Sequence, residues 1–249
     1  MIATRIELSV PDGWHALTDK QLRFVYGLIA SDMDVATVKS ICFLSFAGVK
    51  CECRYDGGYL FRHKRVDFTM TAGEFASALH NLDWIATLPE SPVRLSKIKG
   101  HQAADALLHE VPFERYIYID NLYQIYFRQQ NTEILRQMAE LLYDHENIVL
   151  SDAESMSIFY WWTSLKGYLA KQFRHLFSPS DNNDNNLLGS APQSLADELQ
   201  KSMNAQIRAL TKGDITKEKE VLAMDTWRAL AELDAQARDY EEQQKAMKK

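Results

Sequence analysis

Fourteen of the 27 aromatic side chains of this chain fall between positions 112 and 177. Tyr116, Tyr123, Tyr143, Tyr160, Trp161, Trp162 and Phe173 are among them, interleaved with Leu and Ile at helical spacing. Large rings bury much apolar surface, so helices this rich in them must supply a core and a good part of the stability of whatever they belong to. This stretch constrains the fold more than any other: it demands a packed helical domain around it.

The boundaries of the surrounding elements follow from caps and turns. Thr18 with Gln21, Thr71 with Glu74 and Ser151 with Glu154 have the capping-box spacing, and Asp34 is a further N-cap. They predict helices over 19–30, 35–47, 72–86 and 152–176. Pro112 suits the first turn of a helix over 112–129, and Thr132 is placed to cap one ending near 143. Residues 49–54 and 59–70 alternate around Asp56-Gly57-Gly58, which predicts one β-hairpin near 49–70. Residues 89–100, stopped by Pro89 and Pro92, read as an extended surface connection. The fold class expected is mainly α: a helical main domain over 1–177 with one small β-hairpin, a flexible linker over 178–191, and a C-terminal helical hairpin over 192–249. The linker rests on Asp-Asn-Asn-Asp-Asn-Asn, which has almost nothing to bury.

Composition enters as an exclusion. No apolar run reaches the roughly 18 residues a membrane-spanning helix needs, and positions 1–10 lack the features of a signal peptide. Three cysteines are an odd number and make no disulfide framework, so the expected setting is a reducing compartment, the cytoplasm. The net charge of −6 leaves only one cationic cluster, Arg54, Arg62, Lys64 and Arg65 with His63, for a nucleic-acid contact.

Residues able to carry chemistry do not assemble into a motif. Cys51 and Cys53, two apart on a strand, read as sharing one face, with Cys42 and His63 as further zinc ligands, but the spacing is not that of the common fingers. Small buried cysteines are the expectation. His101 and His109 fall on one side if their segment is helical, with no acidic ligand between them. Trp161 and Trp162 sit about 100° apart on a helix, which predicts one in the core and the other at an interface. No phosphate loop, dinucleotide fingerprint or nucleophile elbow occurs. The expectation is a protein without catalysis, metal or organic cofactor.

Four stretches occur together in one known setting. They are Phe75-Ala76-Ser77-Ala78-Leu79 through Trp84 to Pro92-Val93-Arg94-Leu95; Val111-Pro112-Phe113-Glu114 through Gln124; Phe159-Tyr160-Trp161-Trp162 through Phe173; and Ile207 to Asp214 with Trp227-Arg228-Ala229-Leu230. As a set they resemble a poorly characterised family encoded among the virion-morphogenesis genes of phages and prophages of gut anaerobes. The resemblance covers most of 70–249 and implies a tail-module protein, either an assembly chaperone or a neck or tail component. It brings no catalytic or ligand residues with it.

The C-terminal segment carries Trp227, Leu230, Leu233 and Tyr240 along one helical stripe. Such a face needs a cover, either the main domain or another chain. Its 10 basic and 11 acidic residues argue against DNA or an anionic membrane as that cover. These four residues are therefore the expected protein contact, with a phage tail component or a second copy of the chain as partner. The rival is a regulator that binds nucleic acid through Arg54, Arg62, Lys64 and Arg65.

Overall fold

The computed structural model describes residues 6–178 and 195–247. The expected linker, apart from Ser178, lies outside the described residues. The fold is mainly helical with a small antiparallel sheet, followed by C-terminal helices. By the density of its contacts the chain divides into two compact units, one made of 1–95 with 150–160 and the other of 96–149 with 161–249. The division runs inside the aromatic-rich stretch rather than at the expected linker.

In the first unit, α1 (Asp19–Ala30) and α2 (Val35–Phe46) begin where their caps put them. Thr18 and Gln21 form the reciprocal capping box, and Asp34 accepts from the Thr37 amide. The Thr37 hydroxyl and amide hold the Asp34 carboxyl below the usual carboxylate range. A three-stranded meander follows, β1 (Val49–Tyr55), β2 (Gly58–His63) and β3 (Val66–Thr71), in the order β1-β2-β3. The single hairpin expected over 49–70 is thus two hairpins. Lys64, at φ 55°, makes a left-handed turn with Arg65 in the middle of what read as one long strand. Left-handed backbone is unusual outside Gly and Asn, so the turn carries no compositional mark.

α3 (Ala72–Leu79) starts on the Thr71–Glu74 capping box and then tightens into a 3₁₀ segment, His80–Ala86, with Leu82 off helical geometry. Phe43 of α2, Phe75 of α3 and Tyr59 and Phe61 of β2 form one aromatic cluster, with ring centroids 5.1–5.8 Å apart. A second cluster joins Trp14, Tyr26, Trp84 and Tyr160. The Trp14 indole donates to the carbonyls of Trp84 and Thr87, and the Trp84 indole to that of Pro11, so buried Trp14 and half-buried Trp84 both have their polar edge satisfied. The stretch expected as a surface connection instead sends Leu95 into the interior.

The second unit opens with a two-residue hairpin, β4 (Lys97–Ile98) and β5 (His101–Gln102), whose Ile98 is fully buried. α4 (Phe113–Gln129) and α5 (Thr132–Leu142) pack as an antiparallel pair. Asn131, not Thr132, caps α5, by accepting from the Glu133 amide. α6 (Asp152–Gln172) begins in the first unit and runs on into this one.

Trp161 and Trp162 are both fully buried, which corrects the expectation of one core and one interface ring. The 100° between them directs each to a different neighbour. Trp161 donates to the Ala106 carbonyl at 2.8 Å and lies edge-on to Tyr143, whereas Trp162 lies beside Tyr116 and Asp120 of α4. The C-terminal part is α7 (Leu195–Thr211), α8 (Glu218–Leu222) and α9 (Thr226–Met247). Lys212 and Gly213, both left-handed, turn the chain after α7, but the second arm of the expected helical hairpin is not one helix: it is cut at 223–225. Among the described residues no helix is long and apolar enough to cross a membrane.

Candidate protein-interaction surfaces

The stripe on α9 is largely covered by its own chain. Leu230 and Leu233 are buried, and α9 packs against α4 and α7. Trp227 stacks on His109 at 4.9 Å, meets Tyr168 and Phe173 of the α6 side, and donates its indole N–H to the Leu107 carbonyl. Tyr240 alone of the four stands exposed.

A backbone clasp sets the position of that helix. The Phe113 amide donates to the Met224 carbonyl at 2.8 Å, and the Thr226 amide and hydroxyl both donate to the Val111 carbonyl, at 2.9 and 2.7 Å. Asp225 works in two directions. One carboxylate oxygen accepts from the Trp227 and Arg228 amides, which caps α9, and the other accepts from the Glu110 amide at 2.8 Å. Pairing with the Glu110–Phe113 segment takes up the backbone groups a continuous helix would have used, and this breaks the expected helix at 223–225. Leu108 and Glu110 on the receiving loop are left-handed, a conformation that costs energy for side chains with a Cβ and persists here under the clasp. Farther along, Asp234 accepts from the His175 and Leu176 amides, and His175 bonds Glu241 at 3.2 Å.

In this unit α4 also leaves aromatic side chains uncovered. Tyr118 is 52% exposed and Phe127 is 59% exposed. Tyr118, Leu122 and Ile125, spaced by four and three, share one face of the helix. Leu122 opens onto a groove shared with Leu141, Gln137 and His145, whose rim carries Glu140, Asp144 and Glu146. Glu140 is held by Arg136 and by the Asn147 amide, and Asp144 pairs with Arg115 at 3.3 Å. Sequence reasoning placed Tyr118 in the core; only its position relative to α5 could have said otherwise.

The four cations of the meander are engaged differently. Arg62 is bidentate on Asp67, at 2.7 and 3.2 Å, and also pairs with Glu52 at 3.2 Å. Arg54 lies over the Tyr59 ring. Lys64 and Arg65 stand exposed in the β2–β3 turn.

Cys51 and Cys53 do not share a face. A register shift at Glu52 pairs Cys51 with Phe61 and Cys53 with Leu60, neighbours on β2 whose side chains point to opposite sides. Cys42 is buried in α2, where loss of hydration pushes its thiol up to about 12. Among the described residues no three His, Cys, Asp or Glu side chains gather as a metal-holding group. His101 and His109 are not on a helix: His101 stacks on His145 at 3.6 Å, and His109 on Trp227.

Comparison of the chain with protein-family models, with curated proteins and with solved structures gives no match in any of the three.

Proposed function

We propose that this chain is a non-enzymatic assembly or structural protein acting through protein–protein contacts, in the setting of phage virion morphogenesis, as a tail assembly chaperone or a neck or tail component. The setting comes from the resemblance of 70–249. The single observation that supports a contact role is the aromatic face of α4, where Tyr118, Leu122 and Ile125 line up beside the groove to Leu141 and Tyr118 stays half exposed. Exposed aromatic residues on a rigid helix lose little side-chain entropy on docking and bury a large area, so they serve as anchors of protein interfaces. Trp227, Leu230 and Leu233 act on this reading as the clamp that fixes the unit behind α4, and Tyr240 extends the contact surface on α9.

The experiment is site-specific photocrosslinking in cells that make the particles. A photoreactive phenylalanine replaces Tyr118 in one strain and Arg65 in another. An adduct from position 118 to a tail or neck protein supports the proposal, and recovery of the chain in finished particles would separate a component from a chaperone. Adducts from position 65 to nucleic acid, with none from 118, would sink it in favour of a nucleic-acid-binding regulator.

A further inference from the structure

The two edges of the meander are built differently. β1 carries the register shift at Glu52 and a row of charged side chains, Lys50, Glu52 and Arg54, devices that keep a strand edge from pairing with another chain. β3 has none of them. It runs in unbroken register with β2 over six pairs, from Val66 with His63 to Thr71 with Gly58, and has no proline and no bulge. Its one charge, Asp67, is already neutralised by Arg62 across the strand pair.

The hydrogen-bond phase of that edge follows from the pairing. Two residues, Lys64 and Arg65, separate His63 from Val66, so that closing pair exchanges its bonds, as then do Phe61 with Phe68 and Tyr59 with Met70. The Ala72 amide donating to Gly57 confirms the phase at the other end. The N–H and C=O groups of Asp67 and Thr69 therefore turn away from β2, and among the described residues no strand lies beyond them. Val66, Asp67 and Thr69 are exposed.

We infer that the β3 edge is a self-association surface, on which a second copy of this chain pairs antiparallel about a two-fold axis through Phe68. That register satisfies the edge on both sides. Asp67 and Thr69 of one copy exchange both backbone bonds with Thr69 and Asp67 of the other, and the two meanders become one six-stranded sheet. Side chains agree with it. Phe68 meets its own copy on the face that carries Phe61, which it already approaches to 5.7 Å, and Asp67 meets a threonine hydroxyl rather than a second carboxylate. Pairing Asp67 with Asp67 would set like charges opposite each other. This inference does not rest on the phage setting.

Sedimentation velocity on the full chain over a wide concentration range, in reductant so that exposed Cys51 and Cys53 stay unlinked, tests it. A monomer–dimer equilibrium is expected. Thr69→Asp places a carboxylate opposite Asp67 twice and should weaken the dimer by about threefold to thirtyfold, while Thr69→Lys places a cation there and should tighten it. Thr69→Pro removes an outward amide and should abolish the dimer; circular dichroism confirms that each variant is folded. A chain that stays monomeric throughout overturns the inference, as does a dimer indifferent to position 69. Thr69→Lys weakening the dimer as Thr69→Asp does would overturn the register.

Discussion

α9 and α4 carry apolar stripes of the same kind, yet one is closed and the other open. Along α9, Trp227, Leu230 and Leu233 are covered from within the chain; along α4, Tyr118, Leu122 and Ile125 are only partly covered. Spacing does not separate the two cases. The difference lies at the start of α9, where Asp225 and Thr226 bond to Glu110 and Val111 and fix how α9 meets its neighbours. An apolar face records that burial is favourable, whereas directional polar groups decide what does the burying.

The sharpest way to break this comparison is to end the chain at Ser178. That removes the cover of α4 and the α6 side, and the second unit should lose its cooperative unfolding transition by denaturant melt. A truncated chain that melts as before would show that α9 is an ornament rather than a clamp. Next in size, Leu230→Ala should cost about 2–5 kcal/mol in urea unfolding, as does a buried leucine elsewhere. Tyr118→Ser, on the open stripe, should change stability by less than about 0.5 kcal/mol while removing crosslinks to a partner. A large loss there would mean that the open stripe is core after all.

The smallest effect is a control in acid. The backbone and hydroxyl bonds of Thr71 hold the Glu74 carboxyl below its usual range, as those of Thr37 do for Asp34. A depressed carboxylate contributes stability above its unfolded pKa and loses it as pH falls through the folded one. Unfolding monitored from pH 5 downward should show a modest loss that begins near pH 4, and Glu74→Gln should remove part of that slope. Neither stripe has a part in it.

Local chemistry was legible in the chain, and tertiary choices were not. All three capping boxes formed, because each is a contract among residues three apart: the Ser151 amide reaches Glu154 at 3.0 Å as the spacing requires. The turn at Lys64 and the shift at Glu52 escaped because neither holds the glycine or proline that marks such places. The break at 223–225 escaped for another reason: Asp225 caps α9 while bonding a residue 115 positions away, and no window of sequence contains both partners. Trp161 and Trp162 were legible as large and apolar. That both would be covered depended on α4 and the Tyr143 side flanking one helix.

α6 also sets an order of events on the ribosome. Its first turns belong to the unit begun by residues 1–95, so Trp14 and Tyr26 wait for Tyr160, and Arg23 for Glu154, 131 positions later. A nascent chain ending near residue 95 carries one unfinished aromatic surface, around Trp14 and Tyr26, while some 60 further residues are made, several seconds at ordinary elongation rates. During that interval the chain is at its most adhesive, and slowing translation between codons 95 and 160 should lower the soluble yield more than the same delay placed after codon 180.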